Sequence, residues 1–274
     1  MIKVACVQMQ SGIDPETNLK SASELIREAA ALGAKFISTP EMTNVMNIRP
    51  GPSGVPIHME ADDPTLSALR KLAGELGIWL LIGSLAIKLA TEERFANRSF
   101  LIGPDGSIHA RYDKIHMFDV EVGDGQTYRE SKRYRPGTEA VVAETPIGTL
   151  GLSICYDLRF PRLYRTLAQA GAQILMCPAA FTKTTGTAHW HSLLRARAIE
   201  TGCFVIAPAQ AGLHEDGRET FGHSLIISPW GEILAEGGAD QAGVITADID
   251  LNEVAVARGK IPSLSNDADF QLRK

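Results

Sequence analysis

Short apolar segments with strand character alternate with amphipathic helical segments along most of the chain. Residues 2–9 predict a strand, residues 17–32 an amphipathic helix, and residues 35–39 a second strand. The pattern recurs, with a helix predicted over 65–76 and a strand over 78–84. This alternation predicts an α/β fold in which sheets are covered on one face by helices.

The rest of the chain fits the same plan. The turn sequence Gly103-Pro104-Asp105-Gly106 separates strands predicted over 98–102 and 107–112, so this region predicts a β-hairpin. Downstream, the sequence predicts strands over 141–144, 148–154, 173–177 and 204–207, helices over 161–170 and 188–201, and a hairpin around Pro229-Trp230-Gly231. No stretch has the composition of a linker, so the 274 residues predict a single domain.

Cys155 ends the apolar segment 149–154 and is followed at once by a turn-forming, charged stretch. A thiol at a strand-to-turn junction is surrounded by backbone N–H groups and charged side chains, which favour thiolate. Cys6, Cys177 and Cys203 lie inside apolar runs, where cysteine usually packs as a small hydrophobic residue. Cys155 is therefore the candidate nucleophile.

Two other apolar segments also end in a charged residue. The run that ends at Pro40 is followed by Glu41, and an alternating strand is followed by Lys114. A single charge in such a place is usually only a solvated surface group, but three similar junctions in one chain indicate a common site. None of the seven histidines has a distinctive context. A Cys-His hydrolase with His189 or His191 as base stays open as an alternative.

Charge and composition exclude several classes of function. A net charge of −5 and a pI near 5.8 give no basic surface, so a nucleic-acid partner is not expected. No apolar run is long enough to predict a membrane span, and the N-terminal residues do not resemble a signal peptide. The four cysteines have neither disulfide-framework nor zinc-site spacing. The sequence therefore predicts a cytoplasmic enzyme with reduced thiols, no metal and no cofactor.

Three strings occur at the junctions described above: Pro40-Glu41-Met42, residues 112–119 (YDKIHMFD) and residues 151–161 (GLSICYDLRFP). In this order they resemble the Glu, Lys and Cys signatures of the nitrilase superfamily of carbon-nitrogen hydrolases. The similarity continues through 128–131, 188–190, 195–200, 222–224 and 229–231, and so covers nearly the whole chain.

This resemblance implies a four-layer αββα sandwich, with Glu41, Lys114 and Cys155 at the C-terminal ends of neighbouring strands. It also implies the catalytic roles of a base, an oxyanion-stabilising cation and a nucleophile for these three residues. Glu130 matches a second glutamate of the family and is expected to support Lys114. The backbone N–H of Tyr156 is expected to help hold the oxyanion.

The resemblance further implies an amidase that forms a thioester with a small carboxylated amide. Downstream strings are more similar to the deaminated-glutathione amidase branch than to the ω-amidase branch, which acts on 2-oxoglutaramate. We therefore expect deaminated glutathione as substrate. Residues 181–187 are interpreted as a loop that follows the strand ending at Cys177 and so lies at the same rim as Cys155. We expect Thr182 and Thr185 of this loop, together with Arg159, to bind the substrate carboxylates. An ω-amidase stays the alternative, and a nitrilase or a non-catalytic scaffold is less favoured.

Members of the family commonly dimerise through the helix after the cysteine. In this chain that helix carries Arg162, Leu163, Tyr164 and Leu167, so we expect a homodimer or higher homo-oligomer. We divide the chain into a carbon-nitrogen hydrolase domain over 1–250 and a C-terminal tail over 251–274 at the dimer interface. A loose surface tail is the alternative.

Overall fold

The computed structural model describes residues 1–46, 55–123 and 127–273, so Lys274 of the expected tail lies outside the described residues. The strands are β1 (Ile2–Gln8), β2 (Phe36–Ser38), β3 (Trp79–Lys88), β4 (Phe95–Ile102), β5 (Ile108–Asp113), β6 (Asp119–Glu121), β7 (Thr127–Arg129), β8 (Val142–Thr145), β9 (Gly148–Gly151), β10 (Ile174–Met176), β11 (Phe204–Ala207), β12 (Ala211–Leu213), β13 (Glu219–Phe221), β14 (Leu225–Ile227), β15 (Ile233–Glu236) and β16 (Gly243–Ile249). The α-helices are α1 (Pro15–Ala31), α2 (Pro64–Leu76), α3 (Pro161–Gln169), α4 (Lys183–Thr201) and α5 (Asn252–Lys260).

Two six-stranded sheets share one topological plan. The first has the order β16-β1-β2-β3-β4-β5, and the second has the order β15-β14-β11-β10-β9-β8. In each sheet three adjacent strands are parallel, β1, β2 and β3 in one and β9, β10 and β11 in the other, and antiparallel strands flank them. Parallel strands need crossover connections, and the helices α1 to α4 supply them.

Alternation of side chains along β1 separates two core layers. Val4 and Cys6 face the second sheet, within a cluster that includes Leu150 and Val205. Ala5 and Val7 face the opposite way, in a cluster that contains buried residues of α1 and α2. The helices α3 and α4 cover the outer face of the second sheet. The layers are therefore helix, sheet, sheet and helix, which confirms the predicted αββα sandwich.

Side-chain caps fix the starts of the helices. Asp14 accepts a hydrogen bond from the Thr17 N–H at 3.0 Å, and a proline occupies the first turn of α1. Asp63 caps α2 in the same way. For α4 the prediction of a start at residue 188 was wrong, because Thr182 caps the helix and α4 begins at Lys183. Residues 183–187, interpreted as a loop, form its first turns.

Other elements were not predicted from the sequence. These are β16 and the two small hairpins, β6–β7 and β12–β13, which lie outside the two main sheets. The segment expected to be a tail contains α5, whose Val254 and Ala257 are buried, and the Arg258 guanidinium donates to the Ala172 carbonyl at 2.7 Å. No described helix is both long and apolar enough to cross a bilayer.

Two further expectations need correction. Leu163, Tyr164 and Leu167 of α3 are buried in the core of their own chain, so they are not available to a partner subunit. Glu41 and Lys114 do not follow neighbouring strands, because β3 and β4 lie between β2 and β5 in the first sheet.

Gly83 lies where β3 passes beneath the loops that carry the site. A Cβ atom at this position would be 2.0 Å from the Thr39 carbonyl oxygen, 2.5 Å from the Pro40 carbonyl oxygen and 2.6 Å from the Pro178 Cβ. These three residues belong to the loops that follow β2 and β10. Only a glycine allows so close an approach between the strand and both loops.

We therefore predict that Gly83→Ala lowers the free energy of unfolding by about 1–3 kcal/mol, the usual cost of overpacking a core. Urea unfolding followed by circular dichroism measures it. Gly259→Ala is the matched control, because nothing lies within 4 Å of a Cβ there and alanine favours the helix. Equal unfolding midpoints for the two variants would contradict the close packing.

Candidate active site

The loop after β2 holds Glu41 rigidly beneath the surface. The Met42 N–H donates to the Ser84 hydroxyl at 2.9 Å, and the Gln210 side chain donates to the Glu41 carbonyl at 3.0 Å. Met42 has a φ of 57°, in the left-handed region that non-glycine residues rarely adopt. The Glu41 side chain is only 4% exposed, and one of its oxygens accepts from the Ala180 N–H at 2.8 Å.

Cys155 begins a 3₁₀ turn shortly after β9, with residues 152–154 between them, and its φ of 49° is also left-handed. Its N–H donates to the Pro178 carbonyl at 2.9 Å. The buried Asp157 carboxylate fixes the turn, since it accepts from the Ile154 N–H at 2.8 Å and from the Tyr112 hydroxyl at 2.7 Å. Strained geometry of this kind persists where surrounding contacts enforce it, which is frequent at nucleophiles.

Lys114 lies between two carboxylates. Its Nζ is 2.8 Å from Glu41 Oε1, 3.0 Å from Glu130 Oε1 and 2.9 Å from Glu130 Oε2, and the lysine is 2% exposed. An ammonium group has three N–H donors, so each one has a carboxylate acceptor. Asn97 joins the cluster, because its amide donates to Glu41 at 2.8 Å and to Glu130 at 3.2 Å.

The sequence analysis missed Asn97 and Asp157. Asn97 lies in the middle of β4, where an isolated amide gives no local signal, and Asp157 was treated only as part of the turn after the nucleophile. Both are fully buried polar residues, and such groups are normally hydrogen-bonded. Among the described residues, however, the Asn97 side-chain oxygen has no partner.

Electrostatics keep the resting thiol neutral. Burial raises the pKa of the Cys155 thiol well above its usual value, and the negative charge of Glu41 adds to the rise, while Lys114 opposes it. The expectation that this junction favours thiolate was therefore wrong, because burial and Glu41 outweigh the lysine.

The partners of the thiol stay charged. For Glu41, burial acts to raise the carboxyl pKa, but the charge and hydrogen bond of Lys114 outweigh it and leave the pKa below its ordinary value. For Lys114, burial acts to lower the pKa, but Glu130 and Glu41 outweigh it and raise the pKa well above the usual range. The resting site thus contains a thiol, two carboxylates and an ammonium group.

These residues line a cavity of about 350 Å³. The sequence-predicted residues Glu41, Lys114, Glu130, Cys155, Tyr156, Thr182 and Thr185 all lie on its wall, together with Met42, Val45, Met46, Phe118, Tyr134, Phe181 and the cations Arg129, Lys132, Arg133 and Arg218. The Thr182 and Thr185 hydroxyls are 2.8 Å apart at the start of α4. A cavity of this size with a few polar groups on an apolar wall suits a small molecule.

Arg159 is not among the cavity-lining residues. Its guanidinium lies over the Phe181 ring, 5.3 Å from the centroid, and contacts His189 Nδ1 at 3.3 Å. Phe181 itself lines the cavity, so Arg159 contacts a residue of the cavity wall. The substrate-binding role of Arg159 stays a prediction.

The histidines give no support to a Cys-His pair. His189 contacts Arg159, His191 Nε2 lies 2.9 Å from Glu236 Oε1, and neither histidine is among the residues that line the cavity. The three remaining cysteines are fully buried in the core, as the sequence predicts. Burial raises the pKa of Cys6 and of Cys177 to about 12.

Within the described part of the chain, one group of side chains offers three metal-ligating atoms. His191, His223 and Glu236 place these atoms within 4.8 Å of one another, outside the cavity-lining set. Glu236 Oε1 lies 2.9 Å from a ring nitrogen of each histidine, so hydrogen bonding within the group accounts for its geometry.

The chain is similar in sequence to known carbon-nitrogen hydrolases. The sequence profile of the carbon-nitrogen hydrolases matches residues 3–259. A protein named deaminated glutathione amidase from Synechocystis sp. is 42% identical over 265 residues, which are 96% of this chain and 96% of that protein.

Solved structures are similar over nearly the whole chain. The Caenorhabditis elegans NitFhit protein gives a TM-score of 0.88 at 36% identity and covers 97% of this chain, which spans 65% of that longer chain. A variant of the amidase from Nesterenkonia sp. AN1 gives a TM-score of 0.79 at 26% identity, and the match covers 96% of this chain and 98% of that chain. In that structure acrylamide has added to the active-site cysteine.

We predict that Glu41→Gln lowers the pKa of the Cys155 thiol, because it removes the nearby negative charge that raises it. The rate of iodoacetamide labelling, measured against pH, should therefore rise at a lower pH in the variant than in the wild type. Cys155→Ala supplies the blank, and Glu121→Gln, an exposed carboxylate paired with Arg129, is the charge control. An unchanged or higher labelling midpoint would refute this electrostatic picture.

Proposed function

The chain belongs to the carbon-nitrogen hydrolase family, and we propose that it is an amidase that hydrolyses deaminated glutathione to 2-oxoglutarate and cysteinylglycine. The observation that carries the proposal is the placement of Cys155, Glu41 and Lys114 around one cavity. The substrate is supported by the relative named deaminated glutathione amidase, which matches over 96% of both chains.

Under this proposal Glu41 accepts the thiol proton while the Cys155 sulfur attacks the amide carbonyl. The tetrahedral intermediate then collapses to a thioester, and the amine leaves with a proton returned by Glu41. Water activated by Glu41 attacks the thioester, which releases the carboxylic acid and restores the thiol. Because the pKa of Glu41 is lowered and that of Cys155 is raised, proton transfer accompanies attack rather than preceding it.

Lys114 and the Tyr156 N–H are proposed to stabilise the oxyanion. All three N–H donors of Lys114 have carboxylate acceptors in the resting site, two of them on Glu130. Lys114 would therefore exchange one bond to Glu130 for a bond to the oxyanion. Glu130 keeps a second anchor, since it also accepts from the Phe118 N–H at 2.7 Å. Its proposed role is to position the ammonium group.

The charge of the cavity wall suits an anionic substrate. Besides Lys114, the wall carries the four cations Arg129, Lys132, Arg133 and Arg218, against the two catalytic carboxylates. Deaminated glutathione has a carboxylate on each side of the scissile amide, so cationic side chains would favour it over a neutral amide. A short 2-oxoglutaramate molecule shares the acyl half, which makes ω-amidase activity the alternative.

A substrate comparison tests the proposed function. We expect wild-type protein to release cysteinylglycine from deaminated glutathione with a higher kcat/KM than it releases ammonia from 2-oxoglutaramate. Cys155→Ala should abolish both activities, and Cys177→Ala, which alters a fully buried thiol, should keep both. Faster turnover of 2-oxoglutaramate would assign the protein to the ω-amidase branch, and turnover by Cys155→Ala would exclude the cysteine mechanism.

We also propose a homodimer and a cytoplasmic location. Ile199, Trp230 and Ile261 are each about half exposed, and Ile199 packs beside Gly231 in the Trp230 turn, which gives an apolar surface next to α5. Such a surface favours burial against a second copy of the chain, in line with the expected role of the C-terminal segment. The four free cysteines fit a reducing compartment.

If this surface is the interface, Trp230→Asp should convert the dimer to a monomer in sedimentation velocity, because a charge would be desolvated on association. Leu213→Asp is the matched control, since Leu213 is another exposed apolar residue, on the β12–β13 hairpin. A monomeric wild-type protein, or a Trp230→Asp protein that sediments as the wild type does, would refute the assignment.

A further inference from the structure

Arg218 is a mostly buried cation of the cavity wall. It lies in the turn of the β12–β13 hairpin, which the sequence analysis did not predict, and its side chain is 19% exposed. Its Nη2 lies 3.2 Å from Asp216 Oδ2, and its Nη1 contacts the Met46 sulfur at 4.0 Å. The hairpin thus carries a mostly buried guanidinium to the wall beside the loop that follows Glu41.

The hydrogen-bonding capacity of this guanidinium is not used up. A guanidinium has five N–H donors, and a thioether is a weak acceptor. Among the described residues, the buried Nε has no acceptor at all. A buried donor without a partner destabilises the protein, so the side chain gains from an added anionic acceptor.

Arg218, Glu41 and Glu130 all act on one buried phenol, that of Tyr134. The Tyr134 phenol donates to the Met42 sulfur at 3.7 Å, next to Glu41 in sequence. Burial raises the pKa of Tyr134 to about 12, Glu130 and Glu41 add to the rise, and Arg133 and Arg218 oppose it. The pKa of Tyr134 therefore responds both to the carboxylates and to the guanidinium groups of the cavity wall.

We propose that Arg218 binds the carboxylate of the acyl half of the substrate, the half that stays attached to Cys155 in the thioester. The inference rests on the proposed amidase function and names the residue that binds the acyl carboxylate at that site. The catalytic carboxylates repel an acyl carboxylate, so the acyl half needs a cation close by.

Arg218 is assigned to the acyl half, and not to the leaving amine, because of the order of the reaction steps. The leaving amine must depart to solvent after the first step, whereas the acyl half must stay bound until water attacks. Arg218 is largely buried, while Arg129, another cation on the wall, is 40% exposed and already paired with Glu121. The enclosed cation suits the half that stays.

The test compares kcat/KM of Arg218→Gln for three amides: deaminated glutathione, 2-oxoglutaramate and butyramide, which has a neutral acyl group. We expect a loss of about 100-fold for both carboxylated substrates, the ratio that corresponds to one charge-assisted pair, and less than about a threefold change for butyramide. Arg218→Lys should recover only part of the loss, because lysine keeps the charge but not the planar fork.

Lys183→Gln is the matched control. Lys183 pairs with Glu219, the residue next to Arg218 in the hairpin, but it does not line the cavity. It should change none of the three values by more than about threefold, if the effect belongs to the carboxylate and not to a loosened hairpin. An equal loss on butyramide would show a structural role for Arg218, and a loss confined to deaminated glutathione would place Arg218 on the leaving-group side. Either result overturns the proposal.

A binding measurement separates this inference from the proposed function. Calorimetry with Cys155→Ala protein and 2-oxoglutarate, the shared product, should show binding that Arg218→Gln in the same background weakens by about 100-fold. If 2-oxoglutarate binds in an Arg218-dependent way but no carboxylated amide is turned over, the amidase function is wrong and the Arg218 assignment stands. If Arg218→Gln changes neither turnover nor product binding, the Arg218 assignment is wrong and the amidase function stands.

Discussion

The ammonium group of Lys114 is the interaction on which the site depends. It separates two carboxylates, Glu41 at 2.8 Å and Glu130 at 2.9 Å, in a place where the lysine itself is 2% exposed. Without it two negative charges would be buried side by side, and removing one partner of a buried ion pair typically costs about 3–5 kcal/mol. Burial raises the pKa of the Cys155 thiol, and the charge of Glu41 adds to the rise against the opposing charge of Lys114, so Cys155 rests protonated.

A protonated thiol has a chemical consequence. Thiolate, not thiol, reacts with oxidants and stray electrophiles, so a neutral Cys155 is protected until a substrate carbonyl arrives. Attack then requires Glu41 to take the proton, and Glu41 is held in place by Lys114, Asn97 and the Ala180 N–H. The same contacts that hold the base also weaken it, which ties proton transfer to the presence of a substrate.

The catalytic part of the site could be predicted from the sequence, because its residues end apolar strands. Strand-to-loop junctions mark Glu41, Lys114 and Cys155 locally, and the sandwich brings those junctions together. The distances could not be predicted, since they depend on how two sheets pack face to face. Asn97 gave no signal either, because an amide in the middle of β4 resembles any other polar strand residue until the fold is known.

The sequence analysis did not identify the cations of the cavity wall, for a reason that lies in the fold. Arg159, which was expected to pair with the substrate carboxylates, contacts Phe181 and is not among the cavity-lining residues, and its role stays a prediction. Arg129 and Arg218 reach the cavity from the small hairpins β6–β7 and β12–β13, which belong to neither main sheet. The two sheets thus position Glu41, Lys114 and Cys155, and the hairpins add Arg129 and Arg218 to the cavity wall. Because hairpins can change without disturbing the sandwich, substrate preference can vary on this fold while the Cys-Glu-Lys arrangement stays the same.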